Sequence, residues 1–286
     1  MPFVMAAVAF SACSKSADSQ ASNINNNDDM KEQTADTTSV RVAVSTTAGD
    51  FTVLLYGDTP KHRDNFVRLV KESYYDSTLF HRVIKEFMIQ AGDPDSKTAK
   101  PGQMLGAGGP DYKIDAEIVF PRHFHKRGVL AAARQGDQVN PKKQSSGSQF
   151  YIVTGRVLSD AEMAAMNAQM VNKQKQSIFS RLAGERRQQI IELQRNGDHA
   201  GLQALQDELI KLVEAEVAAM PAPSVTPEMR EAYTTVGGAP HLDGDYTVFG
   251  EVVDGMEVID AIEKVATDRS DRPVEDVRVL SMKLLD

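Results

Sequence analysis

Residues 40–44, Val-Arg-Val-Ala-Val, alternate as a half-buried strand does, and Ala48-Gly49-Asp50 supplies a turn before a second apolar run at 51–55. The pattern predicts a hairpin. Thr59 with Pro60 then reads as an N-cap and first helical position, and Phe66, Val67, Leu69 and Val70 form one apolar face up to Lys71. Short strands are predicted at 79–83, 88–91, 129–133, 150–153 and 248–252, a helix at 256–264 and a last strand at 277–284. Many short strands with few helices predict a closed barrel.

Between residues 159 and 238 the period changes. Ser159-Asp160-Ala161-Glu162 is a capping box, and the chain to about Arg195 is rich in Ala, Met, Gln, Lys and Arg, all good helix formers. Asn196-Gly197-Asp198 stops one helix and caps the next, where Leu202, Leu205, Leu209, Leu212, Val213 and Val217 recur at helical spacing. The reading is an antiparallel helix pair ended by Pro221-x-Pro223, with a short helix starting at Thr226-Pro227-Glu228. A continuous first helix would be about 50 Å long at 1.5 Å per residue, so it should stand out from the barrel. Met163, Met166 and Met170 form a stripe on it, which either packs on neighbouring elements or grips varied apolar clients.

The chain has 286 residues with a formal charge of −8, from 32 basic against 40 acidic side chains, and no dense basic block interleaved with aromatics. Nucleic acid is therefore not an expected partner. No apolar stretch reaches the length of a membrane-spanning helix. A single cysteine, Cys13, excludes an intramolecular disulfide and a cysteine-based metal site.

The motifs that carry chemistry begin with Phe80-His81-Arg82-Val83-Ile84, followed by Phe87-Met88-x-Gln90-x-Gly92-Asp93. A guanidinium set among large apolar side chains is no base at neutral pH, but it donates a planar fork of hydrogen bonds. Then come Gly128-Val129-Leu130-Ala131-Ala132-Ala133-Arg134, Ser146-Gly147-Ser148-Gln149-Phe150-Tyr151-Ile152, and Leu242-Asp243-Gly244 with 248–253. These four blocks, in this order, resemble the cyclophilin peptidyl-prolyl cis-trans isomerases. The likeness covers roughly 40–158 and 239–286, split by a helical segment that the common family core lacks.

The resemblance implies an eight-stranded antiparallel barrel capped by two helices, built from 39–158 and 239–286 with 159–238 as a helical hairpin insertion. It implies a peptidyl-prolyl cis-trans isomerase without cofactor or metal, acting on proline-containing unfolded or flexible polypeptides. Arg82 and Gln90 match the family's catalytic pair, the glutamine orienting the arginine and bonding the substrate backbone. Phe87, Met88, Tyr151 and Leu242 match its proline pocket, with Phe150 as core behind it. Ala133 and Arg134 match the groove for the peptide main chain, and Gln149, His241 and Tyr246 complete the substrate-binding set. An X-Pro amide rotates over a barrier of about 18–20 kcal/mol. Twisting localises the nitrogen lone pair, so a donor placed there stabilises the transition state selectively. Five decades of rate correspond to roughly 7 kcal/mol, more than one charge-assisted bond supplies, so orientation and a water-poor pocket must add the rest.

Three departures from the family pattern stand out. Tyr151 replaces a common phenylalanine and adds a hydroxyl that needs a partner. Tyr246 falls where eukaryotic members often carry histidine, and His241 where they carry tryptophan. Isomerisation needs neither as a proton carrier, but weak binding of cyclosporin is implied. The competing function is a non-catalytic proline-motif binding or chaperone module using the pocket and the helical insert.

Other side chains offer less. His123 and His125 lie near Glu117 without metal-ligand spacing, and His81 reads as structural support behind Arg82. Ser145, Ser146 and Ser148 lie in a Gly-containing turn with no evident base, and Gly106-x-Gly108-Gly109 lacks the ending of a phosphate loop. At the N-terminus, an apolar run at 4–10 before Ser11-Ala12-Cys13-Ser14 resembles a bacterial lipobox, in which the cysteine is lipidated. The polar segment 14–38 then reads as a flexible tether. The expectation is residues 1–13 as signal and an envelope lipoprotein facing the periplasm. The alternative is a free thiol on a soluble periplasmic or cytoplasmic protein.

Overall fold

The hairpin forms as its alternation requires: β1 (Val40–Thr46) pairs antiparallel with β2 (Gly49–Leu55), and both bury every second side chain. The computed structural model describes residues 38–220 and 225–285. Cys13, the tether up to residue 37, Pro221 and Pro223 lie outside the described residues.

Helix α1 (Pro60–Lys71) starts where the sequence places it, but its cap differs. The Thr59 side chain does not cap the helix; the N–H groups of Lys61 and His62 instead donate to the Glu117 carboxylate at 3.0 and 2.9 Å. A distant carboxylate therefore satisfies the open helix terminus and complements its dipole. Burial alone would raise the Glu117 carboxyl, but hydrogen bonds from the His62 ring and these N–H groups outweigh it and hold it below the usual range.

The strands β3 (Arg82–Ile84), β4 (Met88–Ala91), β6 (Val129–Ala132), β8 (Phe150–Val153), β9 (Val248–Asp254) and β10 (Val279–Leu285) follow, with β5 (Lys113–Ile114) and β7 (Ser145–Ser146) as a separate small pair. The main sheet has eight strands in the order β10-β1-β2-β9-β6-β8-β4-β3, with every neighbouring pair antiparallel. Its two edge strands, β10 and β3, share no ladder of their own, so the ladders do not by themselves close the expected barrel. A short seam lies between them instead: Ser77 and Phe80 donate to the carbonyls of Val279 and Val277, both at 2.9 Å, around a bridge between Leu79 and Arg278. The expected strand at 79–83 shrinks to three residues, and Leu79 donates its N–H to Ser96 Oγ at 2.9 Å.

One core fills the inside of the sheet, where Phe66, Leu69 and Val70 of α1 meet Val258, Ile259 and Ile262 of the last helix, α6 (Met256–Glu263). The insert consists of α2 (Asp160–Glu185), α3 (Arg187–Arg195), α4 (His199–Ala219) and α5 (Pro227–Thr235). The Ser159–Glu162 capping box is formed, while the expected continuous first helix breaks at Arg186, two residues after Gly184, a weak helix former. On α4 the buried seam is Leu205, Leu209 and Val213, whereas Leu212 is exposed. Met163 and Met166 do not stand free: they are buried with Phe124 of the body and with Met229 and Tyr233 of α5.

The chain leaves and re-enters the body side by side. Gly238 N–H donates to the Arg156 carbonyl at 3.1 Å, and a Cβ on Gly155 would come within 2.3 Å of the Gly238 backbone. With φ of +55°, Gly155 is held to glycine by conformation as well as by space.

Candidate functional site

Strands β4, β6 and β8 are covered on both faces, and their two-residue period sorts side chains into two groups. Ile89, Ala91, Leu130, Ala132, Phe150 and Ile152 point into the core. Met88, Val129, Ala131, Tyr151 and Val153 point to the other face, where Leu242, Val248, Phe87 and Tyr246 join them. Phe150 thus faces the main core and Tyr151 the second apolar cluster, as their neighbouring positions require.

The register sets the polar edge of that pocket. Arg82 pairs with Gln90 across β3 and β4, and Gln90 with Tyr151 across β4 and β8, which puts the three on one face in a row. The Arg82 side chain is 43% exposed and stands 3.8 Å from Asp271. Gln90 donates to Gln149 Oε1 at 2.9 Å, and Gln149 in turn donates to the carbonyls of Gly106 and Gly108 at 3.0 and 2.7 Å. The chain of amides fixes Gln90 against the glycine loop; the guanidinium takes its carboxylate partner from the loop before β10. Asp93 accepts the N–H of Gly106 from beneath, and a Cβ on Gly108 would collide with its carboxylate at 2.2 Å. These glycines therefore build a turn around Asp93. His81 is buried behind Arg82, and burial lowers its pKa and favours the neutral ring.

Arg134 is tied up in the wall. Its side chain is 4% exposed, donates from Nε to the Asp245 carbonyl at 2.8 Å, pairs with Asp137 at 2.6 Å, and lies 4.3 Å over the Tyr246 ring. The Ala133 N–H donates to the Gln149 carbonyl, and its own carbonyl accepts from Ser146. The Asp245 carboxylate meets Lys143 at 2.6 Å and also Lys173, which projects from α2 of the insert. Burial would raise this carboxyl, but the two ammonium groups outweigh it and hold it low. His241 stacks at a tilt on Phe87, centroids 5.2 Å apart, and burial lowers its pKa.

The hydroxyl of Tyr151 has a partner that the sequence did not reveal. His125, 1% exposed, donates from Nδ1 to Asp243 at 2.9 Å, which leaves Nε2 to accept from the Tyr151 hydroxyl at 3.0 Å. The other Asp243 oxygen accepts from Tyr233 of α5 at 2.6 Å. Burial pushes both phenols well above the ordinary value, so both remain donors. The neighbouring His123 instead meets Asp58 at 2.8 Å, so the two histidines serve separate pairs.

The comparisons with known proteins fit this geometry. The family model of cyclophilin-type peptidyl-prolyl cis-trans isomerases matches residues 40–217 and 230–284. The chain belongs to the cyclophilin-type isomerases. A Streptococcus pyogenes protein described as a bifunctional phosphatase/peptidyl-prolyl cis-trans isomerase is 31% identical over 252 residues, 87% of this chain but 39% of that protein. A Staphylococcus haemolyticus protein described as a peptidyl-prolyl cis-trans isomerase is 29% identical over 248 residues, 86% of this chain and 92% of its own length. Among solved structures, a Cryptosporidium parvum cyclophilin covers 87% of this chain and 99% of its own at a TM-score of 0.50 and 22% identity, a likeness of fold. The cyclophilin activity is peptidyl-prolyl cis-trans isomerisation, and the chain is an isomerase of this class.

The cyclophilin body also contains a Ser-His-acid constellation that the sequence hid. His62 Nδ1 lies 2.7 Å from Glu117, and its Nε2 lies 2.9 Å from Ser145 Oγ. The base for Ser145 thus exists, contrary to the reading of that turn. Ser145 and His62 are 1% and 2% exposed, and the cavity beside the His62 ring holds about 10 Å³. No substrate fits there, and the trio locks α1 to β7. Among the described residues, no three His, Cys, Asp or Glu side chains are grouped as metal ligands.

Tyr151→Phe should keep the pocket ring but strand His125 Nε2 in a buried site, lowering unfolding stability by about 1–2 kcal/mol. Urea unfolding checks this; a midpoint equal to that of the parent would mean that the Tyr151 end of the chain contributes nothing.

Proposed function

We propose that Arg82 is the transition-state donor of this isomerase, and that Phe87, Met88, Tyr151 and Leu242 receive the proline ring of unfolded or flexible polypeptides. The observation that carries this is the row Arg82, Gln90, Tyr151, a half-exposed guanidinium beside an apolar pocket on one sheet face. Rotation about the X-Pro bond creates an acceptor on nitrogen that the ground state lacks, and the guanidinium donates to it. The reaction moves no proton or electron, so it calls for no cofactor. The Asp271 pair is half-exposed on both sides, and such pairs contribute about 0–1 kcal/mol. Asp271 therefore poses the guanidinium without withholding it from substrate. A pure binding module would need the pocket but not this cation. Gln90, held by Gln149, faces the substrate main chain.

Arg82→Ala should leave the circular dichroism spectrum unchanged and reduce kcat/KM on a proline tetrapeptide by at least about two decades. Arg82→Lys should also be impaired, because an ammonium does not reproduce the fork. Near-parental turnover in the folded Ala variant would sink the mechanism.

We infer weak cyclosporin binding from His241, which offers neither the indole donor nor the broad face of tryptophan. Titration of the parent beside His241→Trp is the check: the variant should be inhibited at lower concentration, and tight inhibition of the parent would reject the inference.

The body is read as 39–158 with 239–286, and 159–238 as an insertion, supported by the paired entry and exit at Arg156 and Gly238. The Ser11-Ala12-Cys13-Ser14 motif supports an envelope lipoprotein with the 14–38 tether, facing the periplasm. Two acyl chains give stable anchoring at about 0.8 kcal/mol per buried methylene. Cys13→Ala should then move the protein from the detergent phase to the soluble fraction. An unmodified Cys13 thiol found by mass spectrometry in native cells would reject the anchor.

A further inference from the structure

A cleft of about 780 Å³ lies between α2 of the insert and the loops of the body. One wall is Met166, Met170 and Ile178 of α2 with Met220 at the end of α4; the other is Phe87, Phe120, Ala239, Pro240 and His241. Phe87, which packs against the cluster of Met88, Tyr151 and Leu242, and His241, whose ring rests on Phe87, line this cleft too, so the two sites adjoin at that wall. A second cavity, of about 340 Å³, is lined by Arg82 and Gln90. Room for chain therefore adjoins both Phe87 and Arg82, and the larger space is the one lined by the insert.

We propose that this cleft is a subsite for the stretch of the substrate polypeptide adjoining the target proline, and that it selects uncharged, apolar segments. The proposal rests on the isomerase reading of the Arg82 site. Three observations identify the occupant. Adjacency at the Phe87–His241 wall means that a chain leaving the proline pocket over these two rings enters the cleft. Most charges along the cleft are spent: Arg156 pairs with Glu162, Lys143 and Lys173 both meet Asp245, and Asp243 meets His125, which leaves Glu86 as the one lining carboxylate without an ion pair among the described residues. The walls are rich in methionine, whose unbranched, polarisable side chain adapts to varied apolar shapes. Gln174 adds one specific feature: its Oε1 is buried in the cleft lining without a hydrogen-bond partner, an acceptor for a main-chain N–H of the occupant. Met163 and the buried edge of Met166 belong to the packing at the base. Met170, half-buried at the edge of that packing, and Met220, 44% exposed, line the space and are not among its buried core residues.

The test compares a blocked proline tetrapeptide with two longer peptides, each extended by five Leu, Phe or Ala residues on one side of the proline. For the parent, kcat/KM should rise roughly tenfold with one of the two extensions, in the range that a few buried apolar groups discriminate. Met170→Asp combined with Met220→Asp should abolish most of that gain and leave the tetrapeptide rate within about twofold. Replacing the extension by Asp and Lys residues should also remove it. No gain with either extension, a gain that survives both substitutions, or an equal loss on the tetrapeptide would each overturn the proposal. Fluorescence anisotropy of the labelled apolar extension peptide on Arg82→Ala separates this from failure of the isomerase reading. Binding there should persist at parental strength and weaken about tenfold when the two Asp substitutions are added. Binding that ignores those substitutions would reject the cleft even if Arg82 proved dispensable.

Discussion

Everything in the site depends on three strands being buried on both faces. A strand covered on one side can tolerate a polar residue on the other, but β4, β6 and β8 have a core beneath them and an apolar pocket above. Because side chains alternate, a slip of one residue would exchange the two sets at once, placing Gln90 and Tyr151 in the core and Ile89 and Phe150 in the pocket. The core thus fixes the register, and the register puts Arg82, Gln90 and Tyr151 in one row. The energy that orders this site is core burial rather than contacts within the site.

The pocket wall that is not sheet is secured by polar groups. The loop through Asp243, Asp245 and Tyr246 is gripped at three points: His125 and Tyr233 on Asp243, Lys143 and Lys173 on Asp245, and Arg134 on the Asp245 carbonyl and the Tyr246 ring. Two of the gripping residues, Tyr233 and Lys173, belong to the insert. Fully buried networks are stabilising when every member is satisfied and costly otherwise. Here the insert supplies partners that the body alone would lack.

What was legible in the sequence was what short-range chemistry determines. Alternation gave the hairpin and most strands, the Ser159 capping box gave the start of α2, and the motif blocks marked the residues around Arg82. What stayed hidden was long-range pairing. Nothing near Thr59 announces that Glu117 caps α1, and nothing near Tyr151 announces that His125 accepts its hydroxyl while donating to Asp243. The base beside Ser145 was invisible for the same reason, since His62 comes from a helix far earlier in the chain. How the two edges of the sheet meet was not legible either, because strand propensity at 79–83 says nothing about where Leu79 spends its N–H. The cleft could not be read at all, because its two walls come from elements with different periodicities.

The glycine contact between the two chain ends of the insert bears on how the molecule is assembled. Strands β8 and β9 both pair with β6, yet the whole insert separates them along the chain, a loop whose closure carries an entropic cost that grows with its length. Helices form from local contacts, so α2 to α5 can fold on their own timescale and draw Gly155 and Gly238 together. Once that is done, the sheet meets a short connection where the sequence has a long one. In the folded chain the insert thus sets two strands that are distant in sequence next to one shared neighbour, with its own ends only a glycine contact apart.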